Sequence, residues 1–123
     1  MLLSWSDYYS GSYTLYSQKT TRLASFSGNA YISNCFFNGL SSTSSGGGGS
    51  IYCASSDLLM LVESTTFINS QSSGLGGAIH FNGGSQFVMA KVCAHGCKTT
   101  SSNCLCYRIV ISGDINYKNE VHD

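Results

Sequence analysis

The amino-acid sequence predicts an all-β fold, a right-handed parallel β-helix (solenoid) of about three to four coils with three short strands in each. Two observations lead to this prediction. A Gly-Gly pair followed by a strand-like segment recurs after 28 residues. Short runs rich in β-branched and aromatic residues alternate with Ser, Gly and Asn, which disfavours helical repeats. A β-sandwich is the competing architecture, but Asn-Gly hairpin turns occur only at 38–39 and 82–83.

The repeat is clearest in the segments GGSI at 48–51 and GGAI at 76–79. At the same offset the apolar run 58–62 meets residues 86–90, and a third strand-like element at 66–69 completes the first copy. Each copy therefore supplies three strands. Four repeat-turn glycines are expected to let the backbone turn a tight corner before the strand: Gly48, Gly49, Gly76 and Gly77.

The alternation of side chains along a strand predicts which residues point outward. At an offset of 28, Glu63 lies over Lys91, so this inter-coil charge pair is expected to face solvent. The same parity places four residues inside the coils: Met60, Val62, Val88 and Ala90. It also leaves an outer apolar stripe as a candidate contact surface: Leu59, Leu61, Phe87 and Met89. A bulge near Val62 would reverse the parity and turn the stripe into core.

Composition divides the 123 residues into three parts. Residues 1–25 form a Tyr- and Ser-rich flank, which is either irregular or a partial coil covering one end of the stack. Residues 26–112 contain the coils, and residues 113–123 form a polar tail that is expected to be frayed. Neither flank contains an amphipathic helix to cap a solenoid, so the open coil ends are expected to dock against another chain.

Charge and hydropathy exclude several classes of function. Charged residues make up only 10% of the chain and the net charge is zero, so nucleic acid is not an expected partner. The longest apolar run is too short for direct insertion into a membrane, and the first residues lack the pattern of a secretory signal. The acidic residues are scattered singly, so no paired-carboxylate catalytic site and no cofactor are expected.

The six cysteines allow two interpretations. They are small buried core residues, or at least one disulfide forms near the C-terminus. The residues concerned are Cys93, Cys97, Cys104 and Cys106. Structural zinc prefers matched Cys-x2-4-Cys pairs, and the spacing between positions 104 and 106 is too short for one, so no metal is expected.

The tetrapeptides GGA[ILV] and FxxN are repeated in the polymorphic outer membrane proteins and their β-helical relatives on bacterial and protist cell surfaces, and this sequence resembles that family. Residues 76–79 match the first motif, 48–51 match it with Ser in place of Ala, and 26–29 match the second. The segments 36–38 and 67–69 are one residue shorter than the second motif. The resemblance implies an adhesive or antigenic β-helix at the cell surface, without enzymatic activity.

The leading hypothesis is a non-catalytic structural or adhesive module that contacts a protein partner or a host-surface glycan. One alternative is a carbohydrate-active β-helix, either a lyase or hydrolase remnant or a glycan-binding groove formed by Tyr52, His80 and Phe81. The other alternative is a small structural subunit stacked within a larger assembly.

Overall fold

The computed structural model describes residues 4–43, 47–55, 57–74, 76–84, 86–99, 106–111 and 119–122. This part of the chain consists of a single 3-10 turn at Trp5–Asp7 followed by strands and their connections. The strands are β1 (Thr14–Ser17), β2 (Ala30–Ser33), β3 (Phe36–Asn38), β4 (Ser41–Ser42), β5 (Ile51–Cys53), β6 (Leu59–Ile68), β7 (Gln71–Ser72), β8 (Ile79–Gly84), β9 (Gln86–His95), β10 (Lys98–Thr99), β11 (Tyr107–Ile111) and β12 (Asn119–His122).

The described strands pair in parallel and form three sheets. Sheet A has the order β1-β2-β6-β9-β12, with β3 also paired to β6. Sheet B has the order β5-β8-β11 and sheet C the order β4-β7-β10. From β3 onward the chain passes through sheets A, C and B, and it repeats this order from β6 and again from β9. The predicted all-β class with parallel pairing is therefore confirmed.

The Gly-Gly segments lie side by side, as the 28-residue repeat predicts. Ile51 is the register partner of Ile79 in sheet B. Just before them the Gly48 N–H donates to the Gly76 carbonyl at 3.0 Å. Both glycines have a positive φ, 68° and 73°, a backbone conformation that glycine adopts without a steric penalty.

The second glycine of each pair is required for a different reason, the close approach of a neighbouring backbone. A Cβ atom at Gly77 would lie 2.5 Å from both the backbone N and O atoms of Lys98. A Cβ at Gly49 would meet the backbone of Gly77 and Gln71 in the same way. The glycine pair therefore combines a left-handed turn with a site that has no space for a side chain.

Residues in the left-handed conformation also form columns at two other corners. The first column follows the row in which Ser17, Ser33, Glu63 and Ala90 are register partners. Its members have φ between 49° and 56°: Gln18, Asn34, Ser64 and Lys91. The residues of the second column each lie two positions before a strand of sheet C, namely β4, β7 or β10: Gly39, Asn69 and Gly96. Asn34 and Asn69 suit these corners because the short polar side chain of Asn tolerates this conformation.

The main hydrophobic core is made by inward side chains of sheets A and B. Phenylalanine dominates its fully buried part: Phe37, Phe67, Phe81 and Phe87. The rings of Phe37 and Phe67, on the paired strands β3 and β6, stack with their centroids 5.3 Å apart and their planes 20° apart. Stacking like residues in register is how these short strands bury enough apolar surface.

The register between β6 and β9 differs from the predicted one. Met60 lies opposite Phe87 and Val62 opposite Met89, an offset of 27 residues instead of 28. The connection from sheet B back to sheet A is one residue shorter in the second copy, which shifts the register. The predicted stacking of Met60 and Val62 on Val88 and Ala90 is therefore wrong, because a one-residue shift turns every side chain of a strand to the other face.

The flanks contain more strand than the sequence predicts. Within the N-terminal flank, β1 pairs with β2, and Leu23 forms a parallel bridge to Ile51. The prediction of a frayed tail is wrong for Asn119–His122, which form β12 and pair with β9, since a paired strand satisfies backbone groups at the sheet edge. The rest of that tail, 113–118 and 123, lies outside the described residues. The described residues include no apolar helix of membrane-spanning length.

Candidate functional site

Four aromatic residues, named here the aromatic cover, lie over the outer face of sheet A: Trp5, Tyr9, Tyr13 and Tyr31. The 3-10 turn positions the first of them, with the Ser4 N–H donating to Asp7 Oδ2 at 2.7 Å. The Trp5 ring lies 4.7 Å from each of the Tyr9 and Tyr13 rings, centroid to centroid. The Tyr9 hydroxyl donates to the Met60 carbonyl at 2.9 Å, a hydrogen bond that joins the aromatic cover to β6.

The aromatic cover explains why the predicted outer apolar stripe is wrong as an exposed surface. Leu61 does point outward, but it is fully buried beneath Trp5, Tyr9 and Tyr31, and Leu59 packs half-buried against the same cluster. Phe87 and Met89 instead point into the main core because of the 27-residue register. The first part of the N-terminal flank, with Trp5 and Tyr9, therefore covers the side of sheet A. The later part, β1 and Leu23, pairs with strands at one end of the stack.

The predicted charge pair between Glu63 and Lys91 is also wrong. Glu63 is register partner to Ala90 and is only 4% exposed, whereas Lys91 is exposed in the first left-handed column. The Glu63 carboxylate accepts hydrogen bonds from Ser33 Oγ at 2.9 Å and from the Tyr31 hydroxyl at 3.2 Å. These two donors on β2 offset part of the cost of burying the carboxylate.

Burial raises the pKa of Tyr31 above its usual value of 10.0, and the adjacent negative charge of Glu63 raises it further. Both effects disfavour the phenolate, the first by removing water and the second by repulsion between like charges. The hydroxyl of Tyr31 therefore remains a hydrogen-bond donor to Glu63 at pH values where an exposed tyrosine begins to ionise.

We expect the protein to lose stability as the pH rises above about 10, because Tyr31 then ionises more readily in the unfolded chain than in the folded one. The stabilising contribution is complete below pH 10 and disappears as the pH rises through the folded-state pKa. Urea unfolding between pH 8 and pH 11.5 measures it. The Tyr31→Phe variant keeps the ring and should show a shallower decline, and an unchanged slope would contradict this assignment.

An open groove of about 360 Å³ adjoins the aromatic cover at the start of β1. Its lining consists of Ser12, Tyr13, Thr14, Ser27, Gly28 and Asn29. Tyr13, directly before β1, is 45% exposed although its ring contacts Trp5, and Leu15 on β1 is 53% exposed. Apolar surface is therefore presented to solvent next to the groove.

Asn29 connects the two walls of this groove and ties them to sheet A. Its Nδ2 donates to the Ser12 carbonyl at 3.1 Å, and its Oδ1 accepts from the Leu59 N–H at 2.9 Å. Its own carbonyl accepts from the Thr14 N–H at 2.9 Å. These bonds hold Ser12, Thr14 and Asn29 in place relative to β6.

The second predicted site, a glycan groove formed by Tyr52, His80 and Phe81, is wrong in part. Tyr52 and His80 are register partners on sheet B, with ring centroids 5.6 Å apart in an edge-to-face arrangement. Arg22 lies over the Tyr52 ring at 5.9 Å, and its guanidinium donates to backbone carbonyls of the Gly-rich corner. His80 is only 7% exposed, and Phe81 is fully buried because adjacent strand residues alternate between faces.

Five of the cysteines are described, and each is a free thiol. Cys35 and Cys53 are buried, and burial raises the pKa of both thiols. Cys97 and Cys106 pack against the main core, and burial together with the neighbouring Cys97 thiol raises the pKa of Cys106 to about 12. Cys93 is exposed and Cys104 lies outside the described residues. Among the described residues no group of three or more potential ligands could hold a metal ion.

The residues that make the aromatic cover and its groove could not be predicted from the sequence. The flank is rich in Tyr, but the irregular spacing of these residues does not indicate which face of the fold they cover. Asn29 stood out only as the last residue of an FxxN match, and its role depends on contacts with Ser12 and Leu59 that no local pattern shows.

The comparisons with known proteins identify no relative of this chain: no family model, no curated protein and no solved structure matches it.

Proposed function

We propose that this chain is a right-handed parallel β-helix module with a non-catalytic, structural or adhesive role. Three parallel sheets visited in the repeated order A, C and B support the β-helix, because the strands of successive copies pair with one another. The left-handed columns mark the corners between its faces. Right-handed crossovers predominate for parallel strands by about 98%, which supports the handedness.

The observation that carries the contact role is the exposure of Tyr13, directly before β1, and of Leu15 on β1. These side chains are 45% and 53% exposed and lie beside the groove. In the described part of the chain β1 pairs on one side only, with β2, so the sheet ends there. Apolar side chains at an open sheet edge are typical of contact surfaces.

The partner class follows from the resemblance of the repeat motifs to surface β-helices, which supports contact with a protein or glycan at a cell surface. The interior supports a structural role. Aromatic and aliphatic side chains stacked in register fill it, which makes the coils a rigid support for surface residues.

Binding of the labelled chain to a panel of cultured cells tests this proposal. Replacing Tyr13 and Leu15 together by Ser should reduce binding at least about tenfold, because exposed anchor residues contribute most of the binding energy of a contact surface. The matched control is Phe36→Ser, since Phe36 is 46% exposed on β3 and lies outside the groove lining.

Two results would overturn the proposal. One is unchanged cell binding by the double variant with its circular dichroism spectrum intact. The other is the release of shortened or unsaturated products when the chain is incubated with a panel of polysaccharides, since this would indicate catalysis.

A further inference from the structure

The residues that directly precede the strands of sheets C and B form two columns inside the stack. The pairing of β4, β7 and β10 aligns one set, named here the sheet C column: Leu40, Ser70 and Cys97. The pairing of β5, β8 and β11 aligns the sheet B column in the same way: Ser50, Ala78 and Cys106. The two serines and Ala78 are fully buried, and the other three pack against the main core.

Close approach of the backbone at glycine brings the two columns together. Gly77 comes directly before Ala78, and a Cβ added to it would lie 2.5 Å from the backbone N of Lys98. Lys98 in turn comes directly after Cys97. The Ala78 N–H donates to the Cys106 carbonyl at 2.8 Å. Both cysteines therefore lie beside the same Gly-Ala pair.

Side chains of the two columns already meet at an earlier point in the stack. Ser50 of the sheet B column and Ser70 of the sheet C column share a hydrogen bond between their hydroxyl groups, and both are fully buried. Side chains as short as serine can therefore reach from one column to the other. Cysteine has the same length of side chain.

The copy formed by β9, β10 and β11 has a thiol in each column. The Cys106 thiol is hydrogen-bonded to the Cys97 thiol and to the Tyr107 hydroxyl. The Cys97 thiol also lies 3.6 Å from the Phe67 carbonyl, and the Phe67 ring contacts the Tyr107 ring. Two thiols in contact need only a small movement to reach the S–S bond length of about 2.0 Å.

The other described cysteines do not face this pair. Cys93 is exposed on β9 and is the register partner of Thr66. Because adjacent strand residues alternate between faces, Thr66 and Cys93 point away from the core that contains Phe67. Cys35 directly precedes β3 and Cys53 ends β5, both in an earlier copy.

We infer that Cys97 and Cys106 form a redox-sensitive clamp, a disulfide between the two columns that closes on exposure to a low-molecular-weight disulfide. The Cys97 thiolate attacks one sulfur of oxidised glutathione, and the glutathione thiolate that leaves takes up a proton. The Cys106 thiolate then attacks the Cys97 sulfur of the mixed disulfide and releases the second glutathione. Two protein thiols thus lose two electrons and two protons, and one glutathione disulfide becomes two glutathione thiols.

The clamp would join the corner before β10 to the corner before β11 and close a loop of about ten residues. Burial raises the pKa of Cys106 to about 12, so its thiolate is scarce at neutral pH and the second exchange step is slow. The clamp therefore responds to sustained oxidising conditions. This inference does not depend on the contact role proposed above.

Mapping of the oxidised chain tests the inference. The reduced full chain is incubated without denaturant at about pH 9 with oxidised glutathione, and two of its six thiols should be lost. Trypsin cleaves after Lys98, so the expected disulfide joins two peptides, and tandem mass spectrometry assigns the linked sulfur atoms. The urea midpoint of the oxidised chain should exceed that of the reduced chain by about 1 M or more.

Three variants locate the effect. Cys97→Ala and Cys106→Ala should each abolish the rise in the urea midpoint on oxidation. Cys93→Ala is the matched control, and it should oxidise and gain stability as the parent chain does.

The parent chain alone can overturn the inference. Retention of all six thiols would do so, as would a disulfide that joins Cys97 or Cys106 to Cys93 or Cys104 instead. A Cys97–Cys106 disulfide that forms only in urea, or one that leaves the midpoint unchanged, would also contradict a clamp built into the folded chain.

Discussion

Replacing Gly77 by Ala is expected to destabilise the protein by about 3 kcal/mol or more, at or above the upper end of the usual cost of overpacking. The added Cβ would lie 2.5 Å from the backbone N and O atoms of Lys98. The Lys98 backbone cannot move away from the added Cβ without breaking bonds, because the Lys98 N–H donates to the Ser70 carbonyl at 2.9 Å and β10 pairs with β7. Since a folded domain is stable by only about 5–15 kcal/mol, a large fraction of the total would be lost.

Gly28→Ala is the matched control for Gly77→Ala, because a Cβ at Gly28 meets nothing within 4 Å. We expect this control to change stability by no more than about 0.5 kcal/mol. Urea unfolding followed by circular dichroism measures both variants. Equal midpoints for the two would show that the glycine repeat is not a requirement of close packing between neighbouring strands.

Replacing Phe67 by Ala is expected to cost about 3–5 kcal/mol, the range observed for deleting a buried aromatic side chain. Phe67 is fully buried between two other rings. It stacks on Phe37 at 5.3 Å and meets Tyr107 edge-to-face at 6.4 Å. Removing it leaves a cavity between strands that belong to two different sheets, which backbone collapse cannot easily fill.

Phe36→Ala provides the control for this substitution, because Phe36 is the same residue type on the strand paired with β6 but is 46% exposed. A change within about 0.5 kcal/mol is expected for it. The comparison is made by urea unfolding at neutral pH. Similar losses for Phe67→Ala and Phe36→Ala would contradict the assignment of one to the core and of the other to the surface.

Much of the fold could be predicted from the sequence where a residue type has a specific backbone role. The Gly-Gly segments indicated neighbouring turns because few other residues suit a positive φ or a backbone in close contact. The pairing of Ile51 with Ile79 followed from their spacing. The glycine turns and the pairing of the strands that follow them depend on residue types and spacings that can be read directly from the sequence.

The register of β9 could not be predicted, because the lengths of connections between sheets are not encoded by strand patterns. A single residue fewer before Gln86 placed Phe87 and Met89 in the core and left Glu63 opposite Ala90. The aromatic cover was missed for a related reason. Whether Leu61 is exposed depends on a segment more than fifty residues earlier, and no periodicity connects Trp5 or Tyr9 to β6.

The two connections from sheet B to sheet A differ in length by one residue, and this difference shows where the chain tolerates insertions during evolution. Both neighbouring sheets keep continuous pairing on either side of it, so the variation in length is absorbed locally. Lengthening a surface segment costs little in closure entropy. This junction is therefore a place where evolution, or an engineer, could graft additional residues and new specificity while leaving the scaffold intact.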